Sequence, residues 1–157
     1  RVDAGARLML NDWGADYRGQ GARVDAYYDL VVRLLGKGAP IDAVGFQFHL
    51  LTGHDQPSVA DIAANLARFR ALGVSTHITE LDVRIRAPVT EEKLAAQAHL
   101  YETVFRAAAD GADIVLWGFT DRYFWIPETF PDHPVGTLMD SALNPWPAFE
   151  AARGALD

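Results

Sequence analysis

The sequence predicts an α/β protein built on a parallel sheet. Three observations predict it. Four short apolar runs alternate with helix-periodic stretches. The order reads β-α-β-α-β-α-β-loop-α, which favours parallel strands joined by right-handed crossovers. Asn11, Gln47, Glu80 and Trp117, each near the end of one run, recur at intervals of 36, 33 and 37 residues. A β/α unit of an eight-stranded barrel takes roughly 30 residues, so four units correspond to about half of a barrel.

The first run covers residues 7–11 and leads into Asp12, Trp13 and a Gly-rich polar loop over 14–21. Val24, Tyr27, Tyr28, Val31, Val32 and Leu35 follow helical spacing, and Gly36, Gly38 and Pro40 end that helix. The second strand covers 43–49. Asp55 or Ser58 caps the next helix, in which Ile62, Leu66, Phe69 and Leu72 form the apolar stripe and Gly73 the stop. The third strand covers 74–83. Thr90, followed by Glu91 and Glu92, opens a helix to about residue 109. The fourth strand covers 113–119, a long aromatic and proline-rich loop covers 120–147, and a last helix runs to Leu156.

Composition narrows the function classes. A chain of 157 residues corresponds to about one domain. Its 14 Lys and Arg stand against 21 Asp and Glu, a net charge of −7, which argues against nucleic acid or an anionic membrane as the main partner. No run approaches the ~20 apolar residues of a membrane-spanning helix. With no cysteine, disulfides, thiolate metal sites and a Cys nucleophile are excluded, although the compartment is not decided. No signal-peptide pattern follows Arg1, which equally leaves the compartment open.

Buried parallel strands should be almost uniformly apolar, yet three of these end in polar groups. Gln47 and His49 share parity at the end of strand two, Glu80 and Asp82 at the end of strand three, and Trp117 precedes Thr120 and Asp121 after strand four. Polar groups at the C-terminal ends of several parallel strands mark the active-site face of an α/β fold. Glu80 carries most weight, because a carboxylate inside Ile78-Thr79-Glu80-Leu81-Asp82-Val83 is costly to bury without a partner or a task. By parity, His77 faces the helices and is structural; Met9, Val44, Ile78 and Val115 are expected on the inner face of the sheet. Asp12 and Asp121 read as turn residues, and His54, His99 and His133 receive no role. The chemistry suggested is a carboxylate nucleophile, Glu80, held by His49, with Asp82 orienting the other ring nitrogen or its loop. Tryptophan platforms beside amide and carboxylate groups suit sugars.

Asn11-Asp12, Gly45-Phe46-Gln47-Phe48-His49-Leu50, Ile78-Thr79-Glu80-Leu81-Asp82 and the run from Trp117 to Trp125 resemble glycoside hydrolase family 10, the retaining endo-β-1,4-xylanases. Gln97 with Tyr101 and the closing Asn144-Pro145 extend the resemblance over the whole chain, 1–157. It implies the C-terminal half of a TIM (β/α)8 barrel, strands five to eight with their helices, from a catalytic domain whose N-terminal half is absent. It implies Glu80 as the nucleophile, His49 and Asp82 as its supports, and Gln47, Trp117, Trp125, Asn11 and Trp13 as substrate-binding positions. The family's acid/base Glu, in an Asn-Glu pair ending strand four, would precede Arg1. Xylan or a xylo-oligosaccharide is the implied substrate, secretion the implied location, and no cofactor or metal is called for.

There are departures from the family pattern. Trp13 stands where Tyr is common, Gly14 where Asn is common, and Arg122 where Lys is common. Phe48 replaces a commonly small residue on the helix side of its strand. The isolated chain is expected to be inactive, with the missing half-barrel or a second copy of itself as a partner, because half a barrel leaves two sheet edges unpaired. The alternative is a non-catalytic carbohydrate-binding half-barrel. A metal-dependent hydrolase using His49, Glu80 and Asp82 is the weaker rival, since no H-x-H or H-E-x-x-H spacing occurs.

Overall fold

The computed structural model describes Asp3 and residues 5–157. Five strand segments, β1 (Met9–Asp12), β2 (Ala43–Phe46), β3 (His49–Leu51), β4 (Ser75–Arg84) and β5 (Asp113–Leu116), alternate with helices α1 (Ala22–Gly36), α2 (Val59–Arg70) and α3 (Glu91–Ala108). A short α4 (Ile126–Thr129) interrupts the long loop, and α5 (Pro147–Gly154) closes the chain. Every strand pairing is parallel: β1 with β2, both β2 and β3 with β4, and β4 with β5. The segments β2 and β3 are two halves of the single strand expected over 43–49, so four strand positions follow one another in chain order. That is the fold expected from the sequence.

The break between β2 and β3 has a local cause. Phe48 adopts a left-handed backbone, φ 59°, which stops the extended run at Gln47. The ring of Phe48 is fully buried in the core among residues such as Leu50 and Ile62, and that burial offsets the unfavourable backbone. Phe48 therefore does lie on the helix side. The helices form where the caps and stripes require. Ser58 and Asp61 make a reciprocal capping box at α2, and the Thr90 side chain accepts from the Lys93 N–H at α3. Tyr27 and Phe69 pack α1 and α2 onto Phe46 of the sheet, with ring centroids 5.1–5.8 Å apart.

The two faces of the sheet differ sharply. Val44, Phe46, Ile78 and Leu81 are fully buried beneath the helices. Met9 and Val115 on the other face are about half exposed, at 48% and 53%. The expectation that Val44 and Ile78 belong to the inner face is thus corrected: each sits one residue out of phase with it, and each joins the helix-side core. The parity reading of His77 is corrected as well. A register shift separates Ile78, opposite Ile114, from Leu81, opposite Leu116, so β4 carries one residue more than β5 across that interval. The bulge keeps Ile78 and Leu81 both on the core side and turns His77, Thr79 and Glu80 toward the other. His77 remains structural, paired through Nδ1 with Asp113 at 3.0 Å and through Nε2 with Ser75 Oγ at 2.9 Å.

Gly45 shows how closely the inner face is packed where the site begins. A Cβ there would lie 2.6 Å from Asn11 Oδ1 and 2.9 Å from both Met9 Sδ and Thr79 Cγ2. Gly45→Ala should therefore lower stability by about 1–3 kcal/mol, read from urea unfolding of residues 1–157. An unchanged midpoint would mean that these side chains yield freely.

Candidate active site

The C-terminal end of β1, the start of β3 and the second half of β4 bring Asn11, His49, Glu80 and Asp82 together. His49 lies between the two carboxylates. Its Nδ1 stands 3.0 Å from Asp82 Oδ2 and its Nε2 stands 3.2 Å from Glu80 Oε2. The second oxygen of Glu80 accepts a hydrogen bond from Asn11 Nδ2 at 3.0 Å. Thr79 donates its hydroxyl to Asn11 Oδ1 at 2.9 Å, which fixes the amide so that its NH2 faces Glu80. Asp82 is buried and also accepts from Trp125 Nε1 at 2.8 Å. The carboxylate of Glu80 is thus gripped at both oxygens but retains access to the cleft, with its side chain 16% exposed.

Burial pulls the His49 pKa down, but its hydrogen bonds and charge attraction to Asp82, and then to Glu80, outweigh burial and hold the imidazole above its ordinary 6.5. The protonated ring donates at both nitrogens, one bond to each carboxylate. This support is complete below pH 6.5 and is lost as pH rises through the raised value, when one nitrogen must present a lone pair.

These residues open into a cleft of about 500 Å³. Gln47, Trp117, Trp125 and Trp13 line it with Glu80 and His49. Trp125 meets the His49 ring edge-on at 5.1 Å, whereas Trp13 is 59% exposed beneath the Arg23 guanidinium, 4.3 Å from its ring centroid. Asn11 meets the site through Glu80 rather than as part of the cleft wall. Glu80, His49, Asp82, Gln47, Trp117, Trp125, Asn11 and Trp13 therefore gather at one end of the sheet. Asp121 stays outside the cleft lining, its carboxylate accepting from the Gly136 and Thr137 N–H groups and from Trp146 Nε1, the turn-holding part expected of it.

Sequence reasoning missed three contributors. Thr79 reads as an ordinary strand residue until the bulge turns it beside Glu80. Arg84 lines the cleft from the end of β4. Asp16 sits in the Gly-rich loop, almost wholly buried, where Oδ1 accepts from the Phe48 N–H at 3.1 Å and Oδ2 from Gln20 Nε2 at 3.0 Å. It holds the strand break between Gln47 and His49. The signals available were an Asp and a Gln four residues apart in a loop, which carry little information without the contact to residue 48.

Residues 1–155 match Glycosyl hydrolase family 10, and the chain belongs to that family. It is 37% identical to endo-1,4-beta-xylanase 1 of Humicola insolens across 99% of this chain and 36% of the relative. The structure of xylanase 10B from Thermotoga petrophila in complex with xylobiose superposes with a TM-score of 0.88 and 32% identity, over 99% of this chain and 47% of that one. An endo-beta-1,4-xylanase from Gloeophyllum trabeum gives 0.85 and 35%, over 96% and 47%. The chain thus spans about a third to a half of the length of such relatives, and its sheet is half of their (β/α)8 barrel.

Burial raises the Asp16 pKa from 3.8 to about 6, against the opposing hydrogen bonds from Gln20 and Phe48. The folded chain therefore retains a proton that the unfolded chain releases between these two pH values. Stability contributed by that proton is complete below about pH 4 and is lost as pH rises to about 6, by up to about 3 kcal/mol. Thermal unfolding of residues 1–157 across pH 4–6 should show the wild type losing stability relative to Asp16→Asn. Parallel curves would remove Asp16 from the account.

Proposed function

We propose that this chain is the nucleophile-bearing half of a retaining endo-1,4-β-xylanase that hydrolyses β-1,4-xylosidic bonds in xylan. The observation that carries the reading is Glu80: a carboxylate on the cleft, hydrogen-bonded by Asn11 Nδ2 and adjoining His49 Nε2, with tryptophans around it. A carboxylate held this way is aimed rather than mobile, which an attack on a sugar carbon requires.

In the first step a Glu80 oxygen bonds to the anomeric carbon as the glycosidic C–O bond breaks, and the departing oxygen takes a proton from an acid. In the second step water attacks the same carbon from the opposite face of the covalent bond, gives its proton to that acid's conjugate base, and frees Glu80. His49 and Asp82 position Glu80 and spread its charge. Gln47 binds sugar hydroxyls while Trp117 and Trp125 wall the reacting unit, with Asn11 and Trp13 completing the substrate side. The general acid belongs to the N-terminal half of the barrel, about 5–5.5 Å from the nucleophile in retaining enzymes. Such enzymes meet polymeric xylan outside the cell, so the working location is extracellular.

Residues 1–157 alone should not hydrolyse xylan, since general acid catalysis alone contributes about 10²–10⁴-fold. Their open inner face and the free edges of β1 and β5 should also drive association. Light scattering together with a xylan assay checks both; a monomer as active as an intact xylanase would contradict the reading. When the chain is joined to the N-terminal half-barrel of the Thermotoga petrophila xylanase, turnover should appear, and Glu80→Ala should lower it by at least about 10³-fold with little change in xylan binding. Azide should restore turnover with inversion at the anomeric carbon. His49→Ala should cost less than Glu80→Ala. Near-normal turnover by Glu80→Ala would refute the nucleophile.

A further inference from the structure

Trp13 stands at the edge of the cleft, where little protein packs against it. More than half of the residue is exposed. Its backbone is well placed: it follows the last residue of β1, and its N–H donates to Asp12 Oδ1 at 2.9 Å. Neither feature restrains the indole, which turns about two side-chain bonds. The residue lines both the cleft containing Glu80 and a neighbouring hollow of about 390 Å³. Arg23, in the first turn of α1, lines the hollow and not the cleft.

The Arg23 guanidinium carbon lies 4.3 Å from the centroid of the Trp13 ring, well inside the range of a cation–π contact. Among the described residues no carboxylate stands within ion-pair distance of Arg23. Arg68 is different. It stacks on Tyr28 at 4.6 Å, but its Nη1 also meets Asp25 Oδ1 at 2.7 Å. At Arg23 no such competitor draws the cation off the ring. Gly14 keeps the necessary space open: a Cβ there would lie 3.3 Å from Arg23 Cδ, and its φ of 65° suits glycine. The two departures from the family pattern at Trp13 and Gly14 therefore meet Arg23 in one structural unit.

Resting on the reading that this cleft binds a xylan chain, we infer that Arg23 is a positioning residue for substrate: stacked on Trp13 from the side of the hollow, in the space left by Gly14, it fixes the indole so that the opposite ring face meets a xylose unit. Arg23 acts through the platform and does not touch the sugar. An exposed indole ordered only on binding loses side-chain freedom at that moment, whereas one already held by a cation does not. The free face remains open to the C–H groups of a sugar ring.

A double-mutant cycle read by xylotetraose binding to residues 1–157 tests this. Tryptophan fluorescence at low protein concentration follows it, because Trp117 and Trp125 also line the cleft and report in every variant. Arg23→Met, which keeps the stem but loses the charge, should weaken binding about two- to fivefold. Arg23→Lys, which keeps the charge but loses the flat stacking surface, should fall between. Trp13→Ala should weaken binding on the order of tenfold. With Trp13→Ala already present, Arg23→Met should change binding by less than about 1.5-fold, since the platform it serves is gone. Circular dichroism checks that each variant folds. Unchanged binding in Arg23→Met or in Trp13→Ala overturns the inference and leaves the xylan reading standing. A loss from Arg23→Met that is equally large in both backgrounds also overturns it, since Arg23 would then act without the indole. Failure of the wild type to bind xylotetraose overturns the xylan reading itself.

Discussion

The site depends on one imidazole shared by two carboxylates. His49 can serve Glu80 only because Asp82, buried and also bonded to Trp125, fixes its other nitrogen. Without Asp82 the ring would lose both its orientation and much of the charge attraction that raises its pKa. Without His49, Glu80 would keep, among the described residues, only the amide of Asn11. A histidine between two acids, when protonated, also lets an acidic chain hold two carboxylates close together at the mouth of a sheet.

Two departures from regular backbone and one glycine produce that arrangement. The bulge in β4 turns Thr79 and Glu80 toward the cleft while Ile78 and Leu81 stay in the core. The left-handed Phe48 ends β2, and β3 then delivers His49 opposite Asp82 in the parallel register. Gly45 leaves room for Asn11 beside Thr79. Each is anchored by something outside the strand it alters. Phe48 is held by the Asp16 carboxylate and by burial of its own ring, and Asn11 is held by the Thr79 hydroxyl. Precision at the site is therefore drawn from the helix-side core and the Gly-rich loop, not from the strands alone.

The alternation of strands and helices, the helix boundaries and the cluster of Gln47, His49, Glu80, Asp82 and the tryptophans were legible in the sequence, because apolar periodicity and misplaced polar residues are local signals. The inner face was not. A strict period of two puts Ile78 with Glu80 and His77 opposite, and a single inserted residue reverses that relation without any sign in composition. The strand break at Phe48 was equally silent, since a phenylalanine in an apolar run looks like ordinary strand. Asp16 and Arg84 escaped notice because their meaning lies in contacts 32 and 46 residues away, with Phe48 and Phe130. The short helix α4 within the long loop was likewise too brief to leave a periodic trace.

As the proposed nucleophile, Glu80 becomes covalently bonded to the sugar during turnover. A xylobioside with fluorine in place of its 2-hydroxyl and a dinitrophenolate leaving group tests it directly, since that group departs without a general acid and the fluorine slows release of the intermediate. With the completed barrel, peptide mass mapping should find one fluoroxylobiosyl group, attached to Glu80. Attachment to a different carboxylate, or release of dinitrophenolate in turnover with no labelled peptide, would contradict the account.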